Sequence, residues 1–190
     1  MFSDEFPNAD GQIINGEQKT CFGDGQLRTQ IFYKNGKIDG ERKEWWNNGQ
    51  IWMHGFYRDG KLEGEYKEWW SNGRLRLKDT YSDGKLEGER LGWDKNGRLE
   101  VHEHFQDGVP HGESINFYPS NVFGGGWDQG FWRNGKLEGE VKSWYGNGQI
   151  RFCAHYRDGK LEGEWKSWNV DGKLEKLELY HDDLLVDRSS

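Results

Sequence analysis

Two histidines are the first residues of this chain whose type and spacing could support chemistry. His102 and His104 stand two positions apart, so on a β-strand their side chains lie on one face and could chelate a metal ion. The sequence offers no evident third ligand. We therefore predict no metal site and no bound cofactor.

Alternating glutamate and lysine form the second candidate, in segments such as GEYK at 64–67 and GEVK at 139–142. A carboxylate beside an amine could serve acid–base catalysis, but the pairing recurs in most units of the repeat described below, and a catalytic site is needed once. We interpret it as charge ladders whose aliphatic stems cover neighbouring rings. The glycine run 124–126 lacks the lysine and the helix of a phosphate-binding loop, and no other catalytic motif occurs, so we expect no enzymatic activity.

The composition indicates a folded chain with a thin core of large rings. Only 33% of the 190 residues are hydrophobic, yet aromatic residues make up 15% and include 11 tryptophans. The formal net charge of −7 argues against nucleic acid as a partner, because phosphate binding needs a surplus of lysine and arginine. The same charge disfavours an anionic membrane surface, which stays open as an alternative partner.

The cysteines and the N-terminus indicate an intracellular setting. Cys21 and Cys153 fall at different places in the repeat and form no CxxC motif, so we expect neither a disulfide framework nor a zinc site. The first ten residues contain neither the basic region nor the apolar run of a secretory signal. We therefore expect a soluble, cytoplasmic protein.

The heptapeptide DGKLEGE at 59–65 returns unchanged at 83–89 and 158–164, which shows that the chain repeats itself. Aligning its Gly-Glu pair gives seven units with a period of 24 residues, apart from one spacing of 27 caused by three extra residues within 124–130. The aligned glutamates are Glu17, Glu41, Glu65, Glu89, Glu113, Glu140 and Glu164. We predict an N-terminal cap at 1–15, a repeat array at 16–180 and a C-terminal cap at 181–190.

Each unit contains two Asn-Gly or Asp-Gly turn signals separated by short runs of alternating apolar residues. This pattern predicts two antiparallel strands and two turns in each unit. The runs between turns are too short for helices. The predicted fold is therefore all-β: an elongated single antiparallel sheet of about seven 24-residue β-hairpin repeats.

Three apolar columns recur in register, and we expect stacked units to align them into ladders on one face that forms the core. Counting the aligned glutamate as the first residue, the fifth-residue column consists of Cys21, Trp45, Trp69, Trp93, Phe117, Trp144 and Trp168. The other two columns lie on the following strand and consist of Leu27, Ile51, Leu75, Leu99, Phe123, Ile150 and Leu174, and of Tyr33, Tyr57, Tyr81, Phe105, Trp132, Tyr156 and Tyr180.

The sixth-residue column is aromatic in five of the seven units, with Asp94 and Asn169 in the other two. Neighbours in a strand point to opposite faces, so this column should lie opposite the predicted core. In one interpretation the sheet or neighbouring side chains cover these rings. In the other they form an exposed patch of aromatic and arginine residues, the composition of interaction hot spots. The binding residues of that patch would be Phe22, Trp46, Trp70, Tyr118 and Tyr145, together with Tyr66 and Arg42.

The repeated unit resembles the MORN repeat, in the variant form found in YwqK-like proteins. In the third unit the residues that carry the resemblance are Gly60, Lys61, Gly64, Trp69, Gly73 and Tyr81. The resemblance covers roughly residues 11–183. It implies a row of β-hairpins and, as in most proteins with such repeats, a non-catalytic scaffold for protein or membrane attachment.

We therefore expect a non-catalytic protein-interaction scaffold that binds a protein partner, including a second copy of itself as a homodimer. The apolar residues Leu184, Leu185 and Val186 near the end of the array either cap the seventh unit or contact that second copy. Two alternatives remain open. One is an aromatic-rich ligand-binding repeat, similar to choline- or glucan-binding repeats with their cation–π cages, and the other is a membrane-lipid attachment module.

Overall fold

The computed structural model describes residues 13–119 and 125–189. These residues contain nineteen strands in antiparallel pairs and no helix. The chain divides into two compact units, Met1–Arg98 and Leu99–Ser190, which we call the N-terminal unit and the C-terminal unit. The prediction of an all-β chain built from antiparallel hairpins is confirmed.

The N-terminal unit contains eight strands in one antiparallel sheet. They are β1 (Gly16–Cys21), β2 (Leu27–Lys34), β3 (Lys37–Trp45), β4 (Ile51–Arg58), β5 (Lys61–Trp69), β6 (Leu75–Ser82), β7 (Lys85–Leu86) and β8 (Gly88–Trp93). Each strand from β1 to β6 pairs with the next, and β7 and β8 both pair with β6.

The C-terminal unit contains eleven strands, again in one antiparallel sheet. They are β9 (Leu99–Gln106), β10 (Val109–Pro110), β11 (Gly112–Tyr118), β12 (Gly126–Arg133), β13 (Lys136–Leu137), β14 (Gly139–Tyr145), β15 (Ile150–Arg157), β16 (Lys160–Leu161), β17 (Gly163–Trp168), β18 (Leu174–His181) and β19 (Leu184–Ser189). Three predicted features lie outside the described residues: Phe123 of the second apolar column, Gly124 of the glycine run, and residues 1–12 of the predicted cap.

The short hairpin turns use the left-handed backbone region at two successive residues. Between β4 and β5, φ is 49° at Asp59 and 85° at Gly60. This is the type I′ geometry, which matches the twist of antiparallel strands and favours Asp or Asn followed by Gly. The same pair of positive φ angles occurs at 35–36, 83–84, 107–108, 134–135 and 158–159. The hairpin interpretation of the Asp-Gly and Asn-Gly signals is therefore confirmed.

The heptapeptide also bonds each repeat to the next. In the N-terminal unit, the backbone N–H of Asp83 donates to the Glu63 carboxylate at 2.9 Å, and the N–H of Gly84 donates to the Leu62 carbonyl at 2.9 Å. The Lys61 ammonium lies 2.6 Å from the Asp83 carboxylate. The turn of one DGKLEGE segment is thus held by the KLE of the preceding segment, which explains why the same letters recur.

The C-terminal unit repeats these inter-repeat bonds. The N–H of Asp158 donates to Glu138 at 3.0 Å, and the N–H of Gly159 donates to the Leu137 carbonyl at 2.9 Å. One repeat later, the N–H of Asp182 donates to Glu162 at 3.2 Å. The two units therefore share one mode of assembly at the short turns.

One face of the N-terminal sheet carries a polar network. Arg42 and Tyr66 pair across the strands on either side of Gly55. A Cβ atom at Gly55 would meet the side chains of Tyr66, Leu62 and Tyr57, so these residues share its face. We call this the network face, here and at the corresponding positions of the C-terminal unit. The other side is the ladder face, because it carries the alternating glutamates and lysines.

Burial is concentrated on the network face. The side chains that are buried or nearly so are Met53, Asp79, Ser114, Val141, Ser143, Ala154 and Glu178. All of them lie in the row of Arg42 and Tyr66 or in the row two residues further along the strands. The core of this fold is therefore largely polar, which agrees with the low hydrophobic content of the sequence.

The expectation that the three apolar columns share one face is wrong. In the C-terminal unit, Trp127 and Trp144 pair directly and their rings stack at 5.1 Å, whereas the adjacent Asp128 and Ser143 hydrogen-bond to each other. Because neighbours in a strand alternate, the fifth-residue tryptophan lies on the ladder face. The tyrosine column lies on the network face, as Tyr81 shows by its bond to Asp79.

The physical reason is a register shift of one residue beside the long turn. In the N-terminal unit, Glu68 pairs with Leu77, but the next residue, Trp69, pairs with Leu75. A β-bulge of this kind reverses the facing of all residues beyond it. Leu75 therefore lies on the side of Trp69 and not on that of Tyr81, and the fifth-residue tryptophans are half-buried.

Candidate interaction surface

The sixth-residue aromatics form hydrogen bonds between successive repeats. In the N-terminal unit, the indole Nε1–H of Trp46 donates to the carbonyl of Trp69, and that of Trp70 donates to the carbonyl of Trp93, both at 3.0 Å. In the C-terminal unit, the Tyr145 hydroxyl donates to the Trp168 carbonyl at 2.9 Å. Each donor lies 23 residues before its acceptor. These rings are half-buried, and their polar atoms are already used within the sheet.

An asparagine two residues further on adds a second bond to the same turns. Asn48 and Asn72 donate from Nδ2 to the carbonyls of Ser71 and Lys95, at 2.7 and 2.8 Å. In the C-terminal unit, Asn147 donates to the carbonyl of Val170 at 3.1 Å. The column of long turns is therefore bonded from repeat to repeat, as the column of short turns is.

Asp94 and Asn169, the polar members of the sixth-residue column, have a different role. The Asp94 carboxylate accepts hydrogen bonds from the backbone N–H groups of Asn96 and Arg98, at 2.7 and 2.9 Å. The bond from Arg98 is the main reason that the pKa of Asp94 is lowered. The Asn169 side chain accepts from the N–H groups of Asp171 and Lys173 at 3.1 and 2.9 Å. Both residues stabilise their own turn, which explains how a polar side chain replaces a ring in this column.

Arg42 and Tyr66, the two other predicted binding residues, lie in the half-buried network. Arg42 donates from Nε to Glu44 at 2.9 Å, and its guanidinium lies 5.9 Å from the ring centre of Tyr57. The Tyr66 hydroxyl donates to Glu68 at 2.7 Å. Burial, followed by the bond to Glu68, raises the pKa of Tyr66.

Asp79 is the buried charge at the centre of this network. Its carboxylate is 0% exposed and accepts two hydrogen bonds from Arg90, from Nε and Nη2, each at 3.1 Å. The Tyr81 hydroxyl donates to Asp79 at 3.3 Å. Burial, followed by the nearby charge of Asp79, raises the pKa of Tyr81 to about 12.

Phe22 and Tyr118 complete the set of predicted binding residues. The ring of Phe22 has no hydrogen-bond donor, and the Arg28 guanidinium lies 5.8 Å from its centre. Tyr118 is 37% exposed, and its hydroxyl donates to Asp128 at 2.8 Å. Burial is the main cause of the raised pKa of Tyr118.

The seven predicted residues thus lie in two units. The structure brings Arg42 and Tyr66 together across Gly55, and it engages Trp46, Trp70 and Tyr145 in bonds between repeats.

The ladder face shows the predicted pairing of glutamate and lysine. In five repeats the ammonium group of a lysine lies 2.5 to 2.8 Å from the carboxylate of the glutamate two positions before it. These pairs are Lys19 with Glu17, Lys43 with Glu41, Lys67 with Glu65, Lys142 with Glu140, and Lys166 with Glu164. The bond to the lysine two positions on lowers the pKa of Glu41, Glu65 and Glu140. The Cys153 thiol also donates to Glu140, and burial raises its pKa to about 11, so this thiol is a poor nucleophile.

Sequence reasoning missed two features of these faces. It did not identify Asp79, because a buried aspartate has no signature until its partner Arg90 is placed beside it. It also missed a column of exposed apolar residues on the ladder face, which includes Phe56 at 45%, Phe131 at 38% and Leu179 at 41% exposure. Phe56 and Leu179 stand fifteen positions after their aligned glutamates, and Phe131 stands eighteen positions after Glu113 because its repeat has three extra residues, so the period of the sequence could have identified this column.

Apolar exposure increases towards the C-terminal end of the chain. Leu174 is 46% exposed in β18, and β19 exposes Leu184 at 72%, Leu185 at 42% and Val186 at 60%. Within the described residues β19 pairs with β18 alone. This strand therefore has one edge of backbone groups without a strand partner in the described part of the sheet.

No helix among the described residues has the length and apolarity needed to span a membrane.

Comparison with known protein families agrees with the repeat seen in the structure. No curated protein matches the sequence. The MORN repeat variant model matches residues 14–35, 38–59, 62–83, 137–158 and 161–182, which together make up more than half of the chain. This chain belongs to the MORN repeat variant family.

Proposed function

We propose that the protein is a non-catalytic protein-interaction scaffold that associates with a second copy of itself through its C-terminal edge. The observation that carries this proposal is the exposure of Leu184, Leu185 and Val186 on β19. Exposed apolar side chains along a strand edge are typical of surfaces that pair with another chain.

The backbone of β19 supports strand pairing as the mode of contact. An edge strand presents unpaired N–H and C=O groups that can accept another strand in antiparallel orientation. Two identical strands that pair antiparallel are related by a two-fold axis, so the assembly closes as a homodimer.

The sequence of β19 favours a second copy as the occupant of this edge. If the two-fold axis passes through Leu185, the two copies of Leu185 face each other and each Leu184 faces the Val186 of the other copy. Apolar side chains directly across antiparallel strands stabilise the pairing. All three of these side chains are exposed in the single chain.

The aromatic column favours a scaffold over a cation cage of the choline-binding kind. Trp46, Trp70 and Tyr145 donate their polar hydrogens to the backbone of the next repeat. They therefore stabilise the array that presents the edge. We further propose that the chain acts in the cytoplasm as a YwqK-like scaffold, a setting supported by the free thiols of Cys21 and Cys153.

Sedimentation of the full chain at micromolar concentration tests the proposal with a matched pair of variants. Leu184 and Val109 both stand where other repeats carry a lysine, such as Lys61 and Lys136. The substitution Leu184→Lys places a charge on the proposed contact, whereas Val109→Lys makes the same kind of change away from it. We expect the wild type and Val109→Lys to sediment as dimers and Leu184→Lys as a monomer. A monomeric wild type, or a Leu184→Lys variant that still dimerises, would contradict the proposed contact.

A further inference from the structure

The ladder face has two repeats in which the lysine is missing. In five repeats the aligned glutamate pairs with a lysine two positions later, as Glu140 pairs with Lys142 at 2.5 Å. After Glu113 the corresponding residue is Ile115. Leu91 likewise follows Glu89, but Glu89 has partners of its own. Within the described residues, no hydrogen bond or ion pair engages the Glu113 carboxylate.

A cavity lies beside Glu113, within the C-terminal unit. Its volume is about 250 Å³, and its lining residues are Glu113, Gln129, Gly130, Phe131, Glu140 and Lys142. Phe131 stands directly opposite Glu113 in the pairing of β11 with β12, and its ring is 38% exposed. The pocket thus combines the Glu113 carboxylate, which has no ion-pair partner, with an exposed aromatic ring, the amide of Gln129 and the ion pair of Glu140 with Lys142.

The chemistry of the lining favours a cation with hydrogens to donate. The face of an aromatic ring attracts a cation, and ionised carboxylates accept hydrogen bonds without donating any. A primary ammonium carries three donors, enough to reach the carboxylates of Glu113 and Glu140 and the amide oxygen of Gln129. A quaternary ammonium would leave these acceptors unused.

We propose that this pocket binds a primary alkylammonium group, the head group of lysine, in place of the lysine that this repeat lacks. The bound ammonium pairs with Glu113 as Lys142 pairs with Glu140, and its alkyl chain packs against the ring of Phe131. The group can come from a free amine or from a lysine of a protein partner, since the recognised chemistry is the same. This site goes beyond the proposed self-association, because none of its lining residues belongs to β19.

Nuclear magnetic resonance of the full chain tests the site with two probes. One probe is butylammonium, and the other is a short end-blocked peptide with a single lysine. We expect saturable shifts of the backbone amide signals of Glu113, Gln129 and Phe131 with both, and none with butanol or with a peptide carrying norleucine. Tighter binding of the peptide would assign the site to a protein lysine, and equal binding would assign it to free amines. Absence of saturable shifts with both probes would overturn the proposal.

Three variants separate recognition from folding. Ile115→Lys restores the lysine of the ladder beside Glu113, so the pocket should be occupied from within and lose its affinity for both probes. Ile115→Leu keeps the site apolar and should bind as the wild type does. Glu113→Gln keeps the shape but removes the charge and should bind about tenfold more weakly. Wild-type affinity in both Ile115→Lys and Glu113→Gln would show that the ammonium is not bound here. Because the readout is ligand binding, a monomeric wild type in sedimentation would leave this result unaffected.

Discussion

The two units are built from the same repeat, but they differ in how regular it is. In the N-terminal unit the family model matches three successive repeats, and the glutamates of β1, β3 and β5 each have a ladder lysine, although Leu91 replaces it in β8. In the C-terminal unit the model matches only the last two repeats, Ile115 interrupts the ladder, and apolar residues are exposed on β19. The bonds between repeats are present in both units. The difference teaches that these bonds maintain the fold, whereas departures from the repeat create the surfaces available to partners.

Buried charges provide the first test of this comparison. Both units contain an acid that bonds an arginine and a tyrosine: Asp79 with Arg90 and Tyr81, and Glu178 with Arg188 and Tyr180. Because Asp79 is fully buried, Asp79→Ala should lower the free energy of unfolding by about 3–5 kcal/mol. Urea denaturation followed by tryptophan fluorescence measures this loss.

The matched variant in the C-terminal unit is Glu178→Ala. Its loss should be smaller, about 1–3 kcal/mol, since the Arg188 side chain is 70% exposed and can be solvated by water. If both variants lose the same free energy of unfolding, burial of the ion pair does not determine the cost of removing its acid.

The bonds between repeats provide the second test. Tyr145→Phe removes one hydroxyl and leaves the Trp168 carbonyl without that donor, so it should lower the free energy of unfolding by about 1 kcal/mol.

Trp70→Phe should lower the free energy of unfolding by about 2 kcal/mol. Besides the indole hydrogen bond, it loses ring area and the contacts of Arg76 and Lys95 with the indole at 4.9 and 5.3 Å. Urea denaturation checks both, with Tyr118→Phe as a control on a more exposed hydroxyl. A Tyr145→Phe variant as stable as wild type would show that this bond adds nothing to the unit.

Alkaline pH provides the third test. Tyr81 has a folded-state pKa of about 12, against about 10 for an unperturbed tyrosine. A raised pKa means that this stabilisation is fully present below about pH 10 and is lost as pH rises towards 12. We expect Tyr81→Phe to weaken this loss, as measured by denaturation at successive pH values. An unchanged alkaline profile in that variant would assign the loss to other groups.

The smallest expected effect is a gain in the N-terminal unit. Phe22 occupies the column in which Trp46 and Trp70 donate to the next repeat, but its ring carries no donor. Phe22→Trp should place an indole N–H near the carbonyl of Trp45 and add about 0.5 kcal/mol. Thermal denaturation can detect this gain. A destabilised variant would indicate that the first repeat cannot adopt the geometry of the two that follow.

Much of the fold could be predicted from the sequence because its signals are local and repeated. The Asp-Gly and Asn-Gly turns require positive φ angles, and those angles occur at the predicted residues, as at Asp59 and Gly60. The charge ladders followed from alternation along a strand. Both inferences depend on residues that lie within a few positions of one another, so they can be made from the sequence alone.

The buried face could not be predicted in the same way. Its assignment depends on a register shift of one residue between Glu68 and Trp69, and no residue type in the sequence marks that bulge. The role of the sixth-residue aromatics also depended on distance, since Trp70 reaches an acceptor 23 residues away. Every residue type has a backbone carbonyl that can accept a hydrogen bond, so the type of the acceptor residue does not reveal the bond.

The separation of 23 residues between each aromatic donor and its carbonyl acceptor limits how the chain can gain or lose residues. Each indole or phenol donor finds its carbonyl 23 positions downstream, so one or two residues added within a hairpin would carry the acceptor out of reach. Tandem duplication or loss of a whole hairpin preserves every donor with an acceptor at the same separation. We therefore expect such chains to gain or lose complete repeats. Insertions of single residues should occur only in turns that form no such bond.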